Sequence, residues 1–246
     1  MRPATSVPGA TATPSSPDVA ALLARGEVTL KGRLPRSSNA TFLVEVALDG
    51  SRALAVYKPE RGERPLWDFP SGLFKRELAA YLLSEALGWG LVPLTIRREG
   101  PYGEGSLQEF VHADFEQHYF TLCEDPAHHD RLARICAFDL VANNADRKSG
   151  HCLLGPDGRV WAIDNGLCFN VDPKLRTVIW DFAEQPLPDA VRDDLRTLVK
   201  RGLPAGLDDL LAEEERDILL ARAKRLAQMN RFPSEGGGDR YPWPPV

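Results

Sequence analysis

The sequence predicts an α+β fold in two lobes, with a small β-rich N-terminal lobe and a mainly helical C-terminal one. Three observations carry that expectation. Apolar and polar residues alternate in short runs between Val28 and Lys58 and again between Leu91 and Val111, as in half-buried strands. Beyond residue 112 the apolar residues recur at helical spacing, first at Leu132, Ile135, Cys136 and Leu140 and later from Leu210 to Leu226. Between those helical runs, two short apolar segments flank a Pro-Asp-Gly turn, which reads as a hairpin.

Composition sets the outer limits. The 246 residues are 43% hydrophobic and 26% charged, an ordinary globular balance that supplies a sizeable core. A net charge of −5 argues against nucleic acid as the main partner. No apolar run approaches the roughly 18 residues of a membrane span, and the N-terminus has no apolar signal-peptide core. Cys123, Cys136, Cys152 and Cys168 show no Cys-x-x-Cys spacing and are expected to be reduced core residues of a cytoplasmic protein.

Residues 1–17 are rich in Pro, Ala, Thr and Ser, lack apolar periodicity and are expected to be disordered. Asp18 can cap a short helix running to about Ala24. Strands follow over Val28–Leu34, Thr41–Leu48 and Arg52–Lys58, the last two joined at Asp49-Gly50. The loop between the first two carries Ser37, Ser38 and Asn39. Such small polar residues offer amides and hydroxyls to phosphates, although a plain hairpin loop has the same composition.

Lys58 lies on the period-2 face of Leu54 and Val56. A lysine there either snorkels to water or meets an anion. A helix over 73–87 offers one, because Glu77 shares a face with Leu73, Phe74 and Tyr81. Trp67, in the proline-punctuated loop between them, is expected to pack. Strands over Leu91–Arg97 and Gly105–Val111 complete the first lobe, taken as 18–111. The second, 112–232, contains the helix before the hairpin, a packed segment over 177–182, and helices over 189–201 and 207–229. The run Glu213-Glu214-Glu215 reads as a solvated face. His128 and His129 lack further ligands at suitable spacing and read as surface residues. In the 233–246 tail, Gly236–Gly238 is flexible and 241–245 either docks or binds a partner.

The chemistry concentrates between residues 138 and 169. A polar loop, Asn143 to His151, leads into the hairpin Cys152–Leu154 and Val160–Ile163, which ends on Asp164-Asn165-Gly166. A hairpin brings its two ends together, so Asp146, His151 and Asp164 should face one another. Such a cluster suits a divalent cation and phosphates; taken singly, either Asp also fits a turn or a strand end.

The order Asp146-Arg147, His151, then Ile163-Asp164-Asn165-Gly166 resembles the catalytic and metal-binding loops of the phosphatidylinositol 3- and 4-kinase-like branch of the protein-kinase superfamily, with HipA-type kinases nearby. The chain resembles a bacterial family related to those lipid kinases, over roughly residues 28–185. His151 stands where those proteins carry Asn, and Asn165 where Phe is common. The resemblance implies a protein-kinase-like fold and ATP-dependent phosphoryl transfer to a hydroxyl on a lipid headgroup, metabolite or protein. It implies that Asp146 orients the attacking hydroxyl, Arg147 or Lys148 neutralises transferred charge, and Asp164 with His151 holds Mg²⁺ or Mn²⁺. Arg147 could instead brace the loop. Lys58 would steady phosphates with Glu77 as its partner, and the stretch Gln108-Glu109-Phe110-Val111 would form the hinge that holds the base. A nucleotide-binding pseudokinase and an AMP transferase on the same fold are the alternatives. If His151 ligates metal with an ordinary pKa, metal-dependent ATP binding should fall as pH drops from about 8 to about 6, the range that pKa sets.

Overall fold

The structure is a computed structural model that describes residues 17–35, 37, 39–235 and 240–245. The first helix, α1 (Pro17–Arg25), begins one residue inside the segment expected to be disordered; residues 1–16 and the Asp18 side chain lie outside the described residues. Strands β1 (Glu27–Arg33), β2 (Phe42–Leu48), β3 (Ser51–Pro59), β4 (Thr95–Gly100) and β5 (Gly103–Glu109) form one antiparallel sheet in the order β1-β2-β3-β5-β4. Val44 and Val46 on β2, Ala55 and Tyr57 on β3, and Leu107 on β5 are buried with Val19, Leu22 and Leu23 of α1. Alternation then sends Leu54, Val56 and Lys58 to the opposite face.

Helix α2 (Leu73–Ala86) follows the loop after β3. Its Ala79, Ala80 and Leu83 pack into the cluster that also holds Leu132 and Phe138 of α4 (His129–Ala142; α3 is the short Tyr119–Leu122), Leu195 of α5 (Asp189–Arg201) and Leu219 of α6 (Glu213–Ala227). Helix α2 thus touches the strands on one side and the helical body on another. The small hairpin β6 (Cys152–Leu154) and β7 (Val160–Ala162) pairs in register, Cys152 with Ala162 and Leu154 with Val160. Mixed α+β architecture with an antiparallel sheet is therefore as the sequence pattern anticipates.

Several expectations need correction. Leu91 and Val92 are buried but not in a strand; Pro93 interrupts the segment and β4 starts at Thr95. Helix α6 starts at Glu213 rather than Leu207, the preceding residues forming turns closed by Leu211 N–H on the Leu207 carbonyl. Glu215 is buried, not solvated, because its carboxylate meets the Arg76 guanidinium of α2. Trp67 does not pack: it is 93% exposed, with the Lys174 ammonium 5.1 Å from its ring centre. Among the described residues, no helix is long and apolar enough to cross a membrane.

Candidate active site

Helix α4 ends on Asn143, in the left-handed region (φ +52°) that Asn enters more readily than most residues. Its amide donates to the carbonyls of Asn170 (2.9 Å) and Asp172 (2.7 Å), and its oxygen accepts the Lys174 N–H (3.0 Å). Asn144 follows as a local turn former: its Oδ1 accepts the Asp146 N–H at 2.9 Å. Its Nδ2 donates to Asp139 Oδ1 at 3.1 Å.

Arg147 is fully buried. Its Nε and Nη2 donate to Asp139 at 3.0 and 2.9 Å, Nη1 to the Ile163 carbonyl at 2.6 Å, and Nη2 also to Asn165 Oδ1 at 2.7 Å. All three nitrogens are committed inside the protein. Arg147 therefore braces the loop against α4 and the hairpin, and the catalytic charge-neutralising role expected for it does not fit its burial. Lys148 stays partly exposed, with its ammonium 3.3 Å from Asp146 Oδ2.

The brace leaves Asp146 and Asp164 lining one cleft of about 310 Å³ with Lys58, Glu77, Ser37, Asn39, Thr41 and Arg64. Lys58 Nζ donates to Glu77 Oε1 and, at 2.9 Å, to Asp164 Oδ1. Glu77 is nearly inaccessible, and its Oε2 accepts the Asn165 N–H at 3.0 Å. Burial alone would lower the Lys58 pKa, but the carboxylates of Asp164 and Glu77 hold its ammonium above the ordinary value. Lys58 in turn holds the Asp164 carboxyl well below the usual carboxylate range. Asp146 shifts the other way: burial raises its pKa, partly offset by Lys148. Two neighbouring carboxylates thus differ in character, one a firm anion and one closer to taking a proton.

His151 Nε2 lies 3.5 Å from Asp164 Oδ2. Its Nδ1 accepts the Lys148 N–H at 3.3 Å, so in a neutral ring the proton sits on Nε2. Burial pushes the His151 pKa down to about 4. The fall in metal-dependent binding between pH 8 and 6, expected from an ordinary imidazole, therefore has no source in this ring. Among the described residues, no three His, Cys, Asp or Glu side chains gather closely enough to hold a metal ion alone.

A second cleft, of about 210 Å³, lies between Leu54 of β3, the segment Glu109–His112 and Trp161 of the hairpin. Glu109, Phe110 and Val111 line it. Gln108 does not: it is buried and its Nε2 donates to Thr95 Oγ1 at 2.8 Å, because it sits in β5 between two paired strands. In the β1–β2 loop, Ser37 Oγ is 2.8 Å from Thr41 Oγ1 and Asn39 Oδ1 accepts the Arg64 N–H at 2.9 Å; Ser38 lies outside the described residues.

Three contributors escape a reading by motif. Asp139 anchors Arg147 and Asn144, and a lone carboxylate within the apolar run Phe138–Val141 was its signal. Asn165 links Arg147 to Glu77. The C-terminal segment docks, one of the two outcomes open to 241–245, its Pro245 carbonyl accepting the Ser149 N–H at 2.9 Å and its Arg240 carbonyl the Thr177 N–H at 3.0 Å; no local pattern marks which residues it meets. Gly236–Gly238 lie outside the described residues.

No known protein-family model matches the chain. Among solved structures it is similar to a Helicobacter pylori proinflammatory kinase, CtkA, with a TM-score of 0.47 and 12% identity, over 84% of this chain and 93% of that one. Among curated proteins it is 40% identical to Protein Rv2133c of Mycobacterium tuberculosis over 269 residues, covering 92% of this chain and 95% of that protein. At that identity and coverage, the chain belongs to the same protein family as Rv2133c.

Proposed function

We propose that the chain is an ATP-dependent phosphotransferase that moves the γ-phosphate to a hydroxyl acceptor. The observation that supports this best is the placement of Lys58: one ammonium, held by buried Glu77, reaches a cleft that two carboxylates of unlike character also line. A lysine fixed in this way offers a positive charge to phosphates without having to be ordered at binding. The second cleft, lined by Leu54, Phe110, Val111 and Trp161, is the one that would take a flat base. There the amides of Glu109 and Phe110 are already donated to the Leu94 and Leu54 carbonyls, so neither is offered to a base.

Asp146, with its raised pKa, is the group to orient the acceptor hydroxyl and receive its proton. Lys148 beside it is the candidate to neutralise transferred charge. Ser37 and Asn39 border the phosphate end of the cleft. Asp164, which lines the same cleft as Asp146, offers oxygen to Mg²⁺ or Mn²⁺. One or two carboxylates completed by phosphate oxygens is an ordinary setting for such cations, and a bound cation would offset phosphate charge. His151 is then a neighbour of the metal ligand rather than a ligand, since its Nε2 carries a proton. The acceptor belongs to the broad class of lipid headgroups, metabolites and protein hydroxyls.

The test is incubation with ATP labelled separately at the α- and γ-phosphates. Transfer of γ label that Asp146→Asn abolishes is the expected result. Transfer of α label would make the protein a nucleotidyl transferase. Nucleotide binding with no transfer of either label would make it a non-catalytic sensor.

A further inference from the structure

Asn165 is a departure with no role so far in the chemistry, and its surroundings are unusually complete. The residue is fully buried. Its Oδ1 accepts from Arg147 Nη2 at 2.7 Å, its Nδ2 donates to the Ala162 carbonyl at 3.3 Å, and its backbone N–H donates to Glu77 Oε2 at 3.0 Å. It therefore stands between two charged clusters that do not otherwise touch through side chains in these bonds. On one side is Arg147 with Asp139, both fully buried. On the other is Glu77 with Lys58, and through Lys58, Asp164.

We propose that Asn165 is a positioning residue: the Arg147 brace holds its side chain, which keeps its backbone N–H aimed at Glu77 and so fixes the Lys58–Glu77–Asp164 cluster. The preceding residue supports this. Asp164 sits at φ +56°, in the left-handed region that Asp enters more readily than most non-glycine residues, and a fixed neighbour helps to hold it there. Asn165 is the adjacent fixed point. An apolar residue of similar size could fill the volume, but it could not accept from Arg147, and a buried guanidinium that loses a partner is costly. The Gly166 that follows leaves little room: a Cβ there would lie 3.3 Å from Glu77 Oε1. Glu77 is thus pressed close against the 165–166 backbone, and small movements of that backbone reach Lys58 directly.

This inference rests on the phosphotransferase reading only for its consequence at the nucleotide, so the test has two parts. The first needs no ligand. Native-state hydrogen exchange is followed at the backbone amide of residue 165 in the wild type and in Asn165→Ala, with the β6–β7 amides as internal reference. The wild-type amide is expected to be protected, and the same amide in Asn165→Ala to exchange about tenfold faster, the factor that one hydrogen bond to a charged group is worth. A wild-type amide that exchanges like an open loop overturns the proposal even if the variant does not fold. Equal rates in wild type and variant overturn it as well.

The second part measures affinity for ATP and for adenosine in the same two proteins. Asn165→Ala should lose about tenfold for ATP and little for adenosine. Equal losses for both would point to general loosening and overturn the positioning role. A wild type that is protected at residue 165 but binds neither compound leaves the positioning role standing and overturns the functional reading instead.

Discussion

Replacing Lys58 with Met strands Glu77. The Glu77 side chain is 3% exposed, so its carboxylate has no route to water and keeps only the Asn165 N–H. Removing one partner of a buried pair costs about 3–5 kcal/mol. Lys58 is itself 21% exposed, and water entering its vacated volume recovers part of that, so we expect about 3 kcal/mol. For a chain of this size that lowers the thermal midpoint by roughly 6–12 °C. The control is Lys58→Met with Glu77→Leu, because removing both charges is often close to neutral. Guanidinium unfolding of wild type, single and double variant gives the energies directly. The double variant should recover part of the loss, since it still leaves the buried Asn165 N–H without its acceptor. An unchanged midpoint in the single variant, or a double variant no better than the single, would refute the premise that Glu77 is buried and held by Lys58.

Asp164→Ala should keep the fold, since that side chain is 52% exposed, and should abolish any gain in ATP affinity from Mg²⁺ or Mn²⁺; isothermal titration with and without the cation reads this, and a retained gain rejects Asp164 as ligand. For His151 the folded pKa lies below the unfolded one, about 4 against 6.5, so the unfolded state binds the extra proton. Stability is therefore unaffected above about pH 6.5 and falls as pH drops from there toward 4, by up to about 3 kcal/mol. Urea unfolding across that range should show the slope in wild type and lose it in His151→Asn, and parallel slopes would contradict a buried neutral ring. Deleting residues 240–246 removes the carbonyls that accept from Ser149, Thr177 and Trp180. It should speed amide exchange at Ser149 and Thr177 and cost about 1–3 kcal/mol, and unaltered exchange at both would mean that the tail does not dock.

Lys58 and Glu77 were legible because each put a charge on an apolar face, and an uncompensated charge asks for a partner. Asp146 and Asp164 were legible because a hairpin joins its ends. Arg147 was not, because an arginine in a polar loop reads the same whether it faces solvent or an internal acid; its answer lay in Asp139, on a helix that otherwise reads as core. Glu215 misled for a related reason. In a run of three consecutive acids on a helix one position can point inward, and nothing local tells that Arg76 is waiting there. Trp67 failed the rule that large aromatics are buried, which holds on average and says little of a proline-punctuated loop. The length of β4 was overread because Leu91 and Val92 are apolar for helical packing, not for a ladder.

Arg76 and Glu77 are consecutive, yet they serve opposite sides. Glu77 answers to a lysine on the sheet, while Arg76 is sunk against Glu215 of α6 and the Cys168 carbonyl. The consequence concerns modularity. A fragment ending near residue 111 would carry Arg76 without its counter-ion and the apolar face of α2 without its cover. The remaining fragment would hold Glu215 without a cation and a helical core with one wall missing. The two parts of this chain should therefore resist being expressed separately, exchanged between relatives by simple recombination, or reassembled from pieces cut at the apparent boundary. Any grafted N-terminal part would have to carry a residue at position 76 that matches the one its host holds at 215, so those two sites form a compatibility lock between the halves.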